Sequence, residues 1–293
     1  MAAPKPKSSG AFASLGPLTC AAISTATVMY PVDVLRALRM SGSSFGDFVG
    51  THGVKGLFSQ GVAAEIGRAS LMRVSKFFFF PVVCDKVWGK KTTECSVLQK
   101  AAAGALSTFP EIIVISPAEV AKVGLQLDHT NKFNNNTTAF VKHMYKTRGL
   151  SGVYCGWAGM QYRQCTWTGT FFATLSLWRD KFKELGVPQS AGTLLGGFCA
   201  GVTGVCINCP GDVVRTVVQQ RVFKDPARPV HGVGLRSIAE HAACAREMVA
   251  ERGFRALYAG FGVKCLHLGG SGALMAYFIP KFRDLLGVDY DGV

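Results

Sequence analysis

A chain of 293 residues has room for one large domain or two ordinary ones, but with 48% hydrophobic and only 17% charged residues it is a poor match to a soluble enzyme. Its net charge of +14 would suit nucleic acid. The Lys and Arg are scattered, however, and the aromatics lie inside apolar runs, so an anionic bilayer or an anionic solute is the better match and no nucleic acid is expected.

Residues 1–11 carry Lys5 and Lys7 but neither the apolar core of a signal peptide nor an Arg-rich amphipathic helix; they read as an N-terminal extension, with any targeting signal internal. Residues 15–30 form an apolar run rich in small residues, leading into Pro31-Val-Asp33-Val-Leu-Arg36. Gly53 and Gly61 then bracket Leu57-Phe58, and a second apolar run covers 62–88. The same order returns twice. Residues 97–116 lead into Pro117-Ala-Glu119-Val-Ala-Lys122, Gly149 and Gly156 bracket Val153-Tyr154, and the run 157–182 follows. Residues 194–209 lead into Pro210-Gly-Asp212-Val-Val-Arg215, Gly253 and Gly260 bracket Leu257-Tyr258, and the run 261–286 follows. The ten Cys are dispersed along these runs, and the close pair Cys206 and Cys209 has no second pair at zinc spacing. No metal is expected, and the thiols read as small packing residues.

The Pro motifs recur after 86 and 93 residues, which divides the chain into repeats at 12–92, 93–188 and 189–293. Each repeat holds two segments long enough to span a bilayer. The predicted fold is an all-α membrane protein with six transmembrane helices in three pseudo-threefold repeats of two. Pro bends each odd-numbered helix, and acid and base three residues apart share one helical face. The acids Asp33, Glu119 and Asp212 and the bases Arg36, Lys122 and Arg215 can therefore ring a central axis. Such charges are too costly to bury unpaired; paired between helices they form a gate, or in the plainer alternative a permanently closed strut.

These residues resemble those of the mitochondrial carrier family over about residues 15–286. The resemblance implies a multi-pass solute carrier of the inner mitochondrial membrane. It also implies that the ring closes a cavity on the matrix side, pairing Asp33 with Lys122, Glu119 with Arg215 and Asp212 with Arg36. Gln126 and Gln219 match a Gln that braces the gate in family members, and Met40 takes the first such position. Several segments are similar to the 2-oxodicarboxylate carrier subfamily: Glu111 six residues before Pro117, Asn208-Cys209-Pro210, Arg73 with Lys76, Arg163-Gln164 with Trp167, and Lys264 with His267. Three sets of positions differ from the family. His52, Arg148 and Arg252 stand where an acid is usual, and Gln60, Cys155 and Ala259 where a base is common. Pro81, Ser176 and Pro280 stand where a second, cytosolic gate has its acids, with Asp85, Asp180 and Asp284 four residues later.

Seven residues past the second marker Gly lie Arg68, Arg163 and His267, equivalent by threefold symmetry. The resemblance places substrate contacts at this depth, Gln164 among them, and Arg suits the task because its fork binds a carboxylate through two parallel hydrogen bonds. Arg73 and Lys76 share a helical face and add positive potential, or else snorkel to the headgroups. Trp167 walls the substrate or packs, and Lys264 meets the substrate or faces the aqueous mouth. Glu111 needs a partner inside an apolar helix, by preference a cavity Arg, with proton coupling as the other reading. No nucleophile and base share a depth, so neither enzymatic activity nor a cofactor is expected. The expected partners are a small carboxylate and membrane lipid, cardiolipin in particular. The expected function is exchange of a 2-oxodicarboxylate or related di- or tricarboxylate by alternating access. The alternative is a carrier-fold subunit of a larger inner-membrane complex that no longer transports.

Overall fold

The structure, a computed structural model, describes residues 15–287 except 129, 131 and 226, and the side chains within that range except those of residues 73, 77, 93, 172, 190 and 276. The N-terminal extension expected over residues 1–11 lies outside the described residues. All regular structure among the described residues is helical. The first repeat contains α1 (Leu15–Ser41), α2 (Phe45–His52), α3 (Gly56–Ser59) and α4 (Val62–Trp88). The second contains α5 (Val97–Leu106), α6 (Thr108–Gln126), α7 (Thr137–Val153) and α8 (Trp157–Glu184). The third contains α9 (Gln189–Lys224), α10 (Leu235–Arg252) and α11 (Phe261–Leu286).

Two helices, α1 and α9, are long and apolar enough to cross a bilayer, and α5 with α6 makes a third if the bent pair is one span. The even-numbered spans α4, α8 and α11 have 27, 28 and 26 residues, above the roughly 20 that a bilayer requires, but carry more charge. The charges in the first half of these spans turn inward: Lys264 is fully buried and Glu65 and Arg163 nearly so, while Leu71, Phe78, Val82, Leu177, Leu266 and Tyr277 are exposed. Apolar outside and charged inside is the distribution that lipid imposes.

The helices α1, α6 and α9 continue through Pro31, Pro117 and Pro210, each of which leaves the carbonyl four residues earlier without its helical N–H partner. The sharp break, of 42°, falls between α5 and α6, so the single segment expected over 97–116 is two helices. Its cause is local. The Ser107 and Thr108 hydroxyls donate back to the carbonyls of Gly104 and Ala105 at 2.9 and 2.6 Å, and Pro110 has no N–H for the carbonyl of Leu106.

The second marker glycines explain how the repeats close on one another. Gly61, Gly156 and Gly260 have φ of 80°, 79° and 73° and begin α4, α8 and α11, a left-handed conformation that side chains disfavour. A Cβ on Gly61 would lie 3.1 Å from the Lys122 carbonyl, on Gly156 2.9 Å from Gln219, and on Gly260 3.2 Å from Arg39. Each even span is thus seated on the odd span of the next repeat, and the third returns to the first.

Two of the three bases at the loop positions, His52 and Arg148, have a definite task. His52 donates through Nε2 to the Asp128 carbonyl at 2.7 Å, just past the end of α6. Arg148 donates to the carbonyls of Asp225 and Arg228 at 2.6 and 2.5 Å, just past the end of α9. Both place a donor where the helix C-terminus exposes unpaired carbonyls.

Packing at two further glycines generates a test. Phe140 of α7 lies on Gly124 and is fixed edge-on by Phe133 and Phe223, with ring centroids 5.0 and 5.5 Å away. Gly211 lies under Tyr162, which is 44% exposed and is tethered by its hydroxyl, which donates to the Ile207 carbonyl at 3.1 Å. Ala gains about 1 kcal/mol of helix preference over Gly at either site, whereas overpacking a fixed core costs about 1–3 kcal/mol. Gly124→Ala, which displaces a buried ring, should therefore lower the thermal unfolding midpoint of the detergent-solubilised protein by more than Gly211→Ala, which displaces a half-exposed one. Equal midpoints for the two variants would contradict this account of Phe140.

Candidate functional site

Three motif acids and three motif bases converge where α1, α6 and α9 meet, and all six are buried to 4% exposure or less. Lys122 meets Asp33 at 2.5 Å, Arg215 meets Glu119 at 2.6 Å and Arg36 meets Asp212 at 3.2 Å. Arg36 and Arg215 also hold the acids of their own helices, Asp33 and Asp212, at 2.6 and 3.0 Å. The cyclic pairing that the resemblance implied is the geometry present. Gln126 braces it, donating to Asp33 at 3.1 Å. Gln219 does not, for it donates instead to the Cys155 carbonyl at 3.0 Å, where α8 begins against it.

The even spans add a second tier. Seven residues past each marker Gly, Arg68 reaches Glu119 at 3.0 Å, Arg163 reaches Asp212 at 3.8 Å and His267 reaches Asp33 at 3.6 Å. In each case the partner is the ring acid of the following repeat. Arg163 also meets Glu119 at 3.4 Å, and its Nε and Nη2 make no hydrogen bond. The cations expected to hold a solute are therefore drawn down onto the ring in this state.

Two ring partners escaped sequence reading. Glu65 holds Lys122 at 2.7 Å and Arg68 at 2.5 Å. Lys264, expected at the substrate or the aqueous mouth, is instead fully buried against Asp212 at 3.1 Å. Each lies four residues past its marker Gly, a position filled by Met160 in the second repeat. Aligning the repeats residue by residue at that offset was the available signal. The cluster thus contains four carboxylates, Asp33, Glu65, Glu119 and Asp212, and six cations, Arg36, Arg68, Lys122, Arg163, Arg215 and Lys264.

Further along α4 and α8 lies a smaller polar group. Glu111 meets Lys76 at 3.8 Å and accepts from Gln164 at 3.1 Å, and Lys76 donates to Thr168 at 3.2 Å. Lys76 thus points inward and does not snorkel to the headgroups. Arg73, on the same face, has its side chain outside the described residues. Trp167 stacks on Phe171 at 5.1 Å and packs against Gly204 of α9, so it faces a helix interface. Asp85, Asp180 and Asp284 are exposed near the far ends of the even spans and form no ion pair among the described residues.

Comparison with known proteins agrees with this architecture. The family described as mitochondrial carrier protein matches residues 93–185 and 187–289. The mitochondrial 2-oxodicarboxylate carrier 2 of Saccharomyces cerevisiae is 26% identical over 298 residues, covering 90% of this chain and 92% of that protein. The mitochondrial 2-oxodicarboxylate carrier of Bos taurus is 28% identical over 275 residues, covering 85% of each. The mitochondrial citrate transporter D of Aspergillus niger is 26% identical over 300 residues, covering 91% of this chain and 93% of that protein. With two repeats matched outright and a charge ring built from all three, the chain belongs to the mitochondrial carrier family and is similar to its 2-oxodicarboxylate carriers.

Proposed function

We propose that this protein exchanges a 2-oxodicarboxylate, or a related di- or tricarboxylate, across the inner mitochondrial membrane by alternating access. The observation that carries the reading is that Arg68, Arg163 and His267 each reach the ring acid of the next repeat. The same side chains can thus serve solute and gate. An anionic solute entering from the side opposite α2, α7 and α10 meets Lys76 and Arg163 first. Its carboxylates then compete with Glu119 and Asp212 for Arg163, whose Nε and Nη2 make no hydrogen bond, and next for Arg68.

The charge balance supports a dianion. Six cations face four carboxylates in the cluster, so two further negative charges would neutralise it. Opening without solute would leave buried charges unpaired, at several kcal/mol each. A solute that replaces the lost partners lowers that barrier, which favours exchange over free opening. The names of the relatives point to the same solute class.

Two outcomes test this reading in liposomes loaded with 2-oxoglutarate. Arg163→Ala should abolish uptake without unfolding the protein, because Glu119 keeps Arg215 and Asp212 keeps Arg36 and Lys264. Arg163→Lys, which keeps the charge but loses the fork, should retain a rate lower by about tenfold. Undiminished uptake by the Ala variant would place the solute elsewhere.

The ring yields the second test. Asp33→Lys should stop exchange, and pairing it with Lys122→Asp should restore little, because the new carboxylate at 122 would face Glu65, now 2.7 Å from Lys122. Adding Glu65→Gln removes that repulsion and should raise the rate well above the double variant. If single, double and triple variants all transport like the parent, the ring is not the gate.

A further inference from the structure

Away from the charge cluster, a pair of thiols lies where the first repeat runs into the second. Cys84, near the end of α4, and Cys95, just before α5, are both buried and both free. They pack together with Ala103 beside Phe80, Val83 and Trp88. The backbone around Cys95 is held on both sides. Before it, the Lys91 N–H donates to the Glu94 carboxylate at 3.4 Å; after it, Ser96 and Gln99 exchange hydrogen bonds of 2.9 and 3.3 Å that start α5. The contact is thus a built feature of the linker between repeats.

We propose that Cys84 and Cys95 form a dithiol site that a low-molecular-weight disulfide, such as glutathione disulfide, converts reversibly into an intramolecular disulfide tying α4 to α5. An S–S bond is about 2.0 Å long, so two thiols that already share one small buried cluster need only a short approach. The surroundings favour the chemistry. Lys86, Lys90, Lys91 and Lys100 outnumber Asp85 and Glu94 along this stretch, which attracts an anionic oxidant. No third His, Cys, Asp or Glu completes a metal-ligand set there among the described residues.

The exchange runs in two steps. Cys95, 6% exposed where Cys84 is fully buried, attacks one sulfur of glutathione disulfide, forming a mixed disulfide and releasing one glutathione thiolate. The Cys84 thiolate then attacks the Cys95 sulfur and expels the second. Two cysteine thiols lose two electrons and two protons, and one glutathione disulfide becomes two glutathione thiols. The site stands apart from the solute-binding reading and does not rest on it.

Peptide mapping of the full-length protein tests the inference. The detergent-purified protein is treated with excess glutathione disulfide, blocked with N-ethylmaleimide, digested with trypsin without reduction and analysed by mass spectrometry. Trypsin cuts at Lys86, Lys90 and Lys91, so the two cysteines leave on separate peptides unless they are bonded. The expected product is the Cys84 peptide linked to the Cys95 peptide, on the order of ten times more abundant than any other cysteine pair and lost on adding dithiothreitol. Cys84→Ser should instead accumulate a glutathione adduct on Cys95, which reports the first step whatever the efficiency of the second. Maleimide on both cysteines of the parent, a stable glutathione adduct in place of the link, or equal linkage to other cysteines would each overturn the proposal.

Discussion

Glu119 marks the constraint on which the rest of the structure depends. It is fully buried on α6, and its two oxygens face Arg68 from α4, Arg163 from α8 and Arg215 from α9. A carboxylate surrounded by protein and lipid is stable only with such partners. Those partners need balance in turn: Arg215 and Arg163 lean on Asp212, and Arg68 leans on Glu65. Neutralisation therefore passes from repeat to repeat around the axis. No helix can leave the bundle at this level without orphaning a charge on its neighbour.

The marker glycines and the charge motifs recur in all three repeats, but the side chains around them do not. Four residues past the marker glycines stand Glu65, Met160 and Lys264; three further on stand Arg68, Arg163 and His267. Asp33 is served by Arg36, Lys122 and Gln126, whereas Asp212 is served by Arg36, Arg215 and Lys264. A symmetric frame supplies three equivalent directions of approach. The unequal side chains give the three directions different charge, and a solute with chemically distinct ends would meet them differently.

The joints between repeats are made by backbone as much as by charge. Glycines with positive φ let each even span start directly against the next odd span, and His52 and Arg148 then satisfy carbonyls just past the ends of those same odd spans. Bases at these loop positions need no acid partner, because exposed helix-end carbonyls accept from them. One interface is thereby fixed by steric fit at its start and by hydrogen bonds at its end.

Much of this was legible in the sequence because it is local. Three Pro-x-acid-x-x-base motifs in phase with paired glycines determine three repeats, and spacing of three places Asp33 with Arg36 and Asp212 with Arg215 on one face. The glycines are required by φ, a property of the single residue. What the sequence left open was every choice between partners that the chain does not bring together. Gln219 bonds a loop carbonyl and not the ring, Trp167 faces α9 and not the cavity, and Lys264 is sealed against Asp212 and not at the mouth. Those outcomes depend on where helices that are distant along the chain come to rest. Helical spacing fixes the direction a side chain leaves its own axis, but only the packed bundle decides what it meets there.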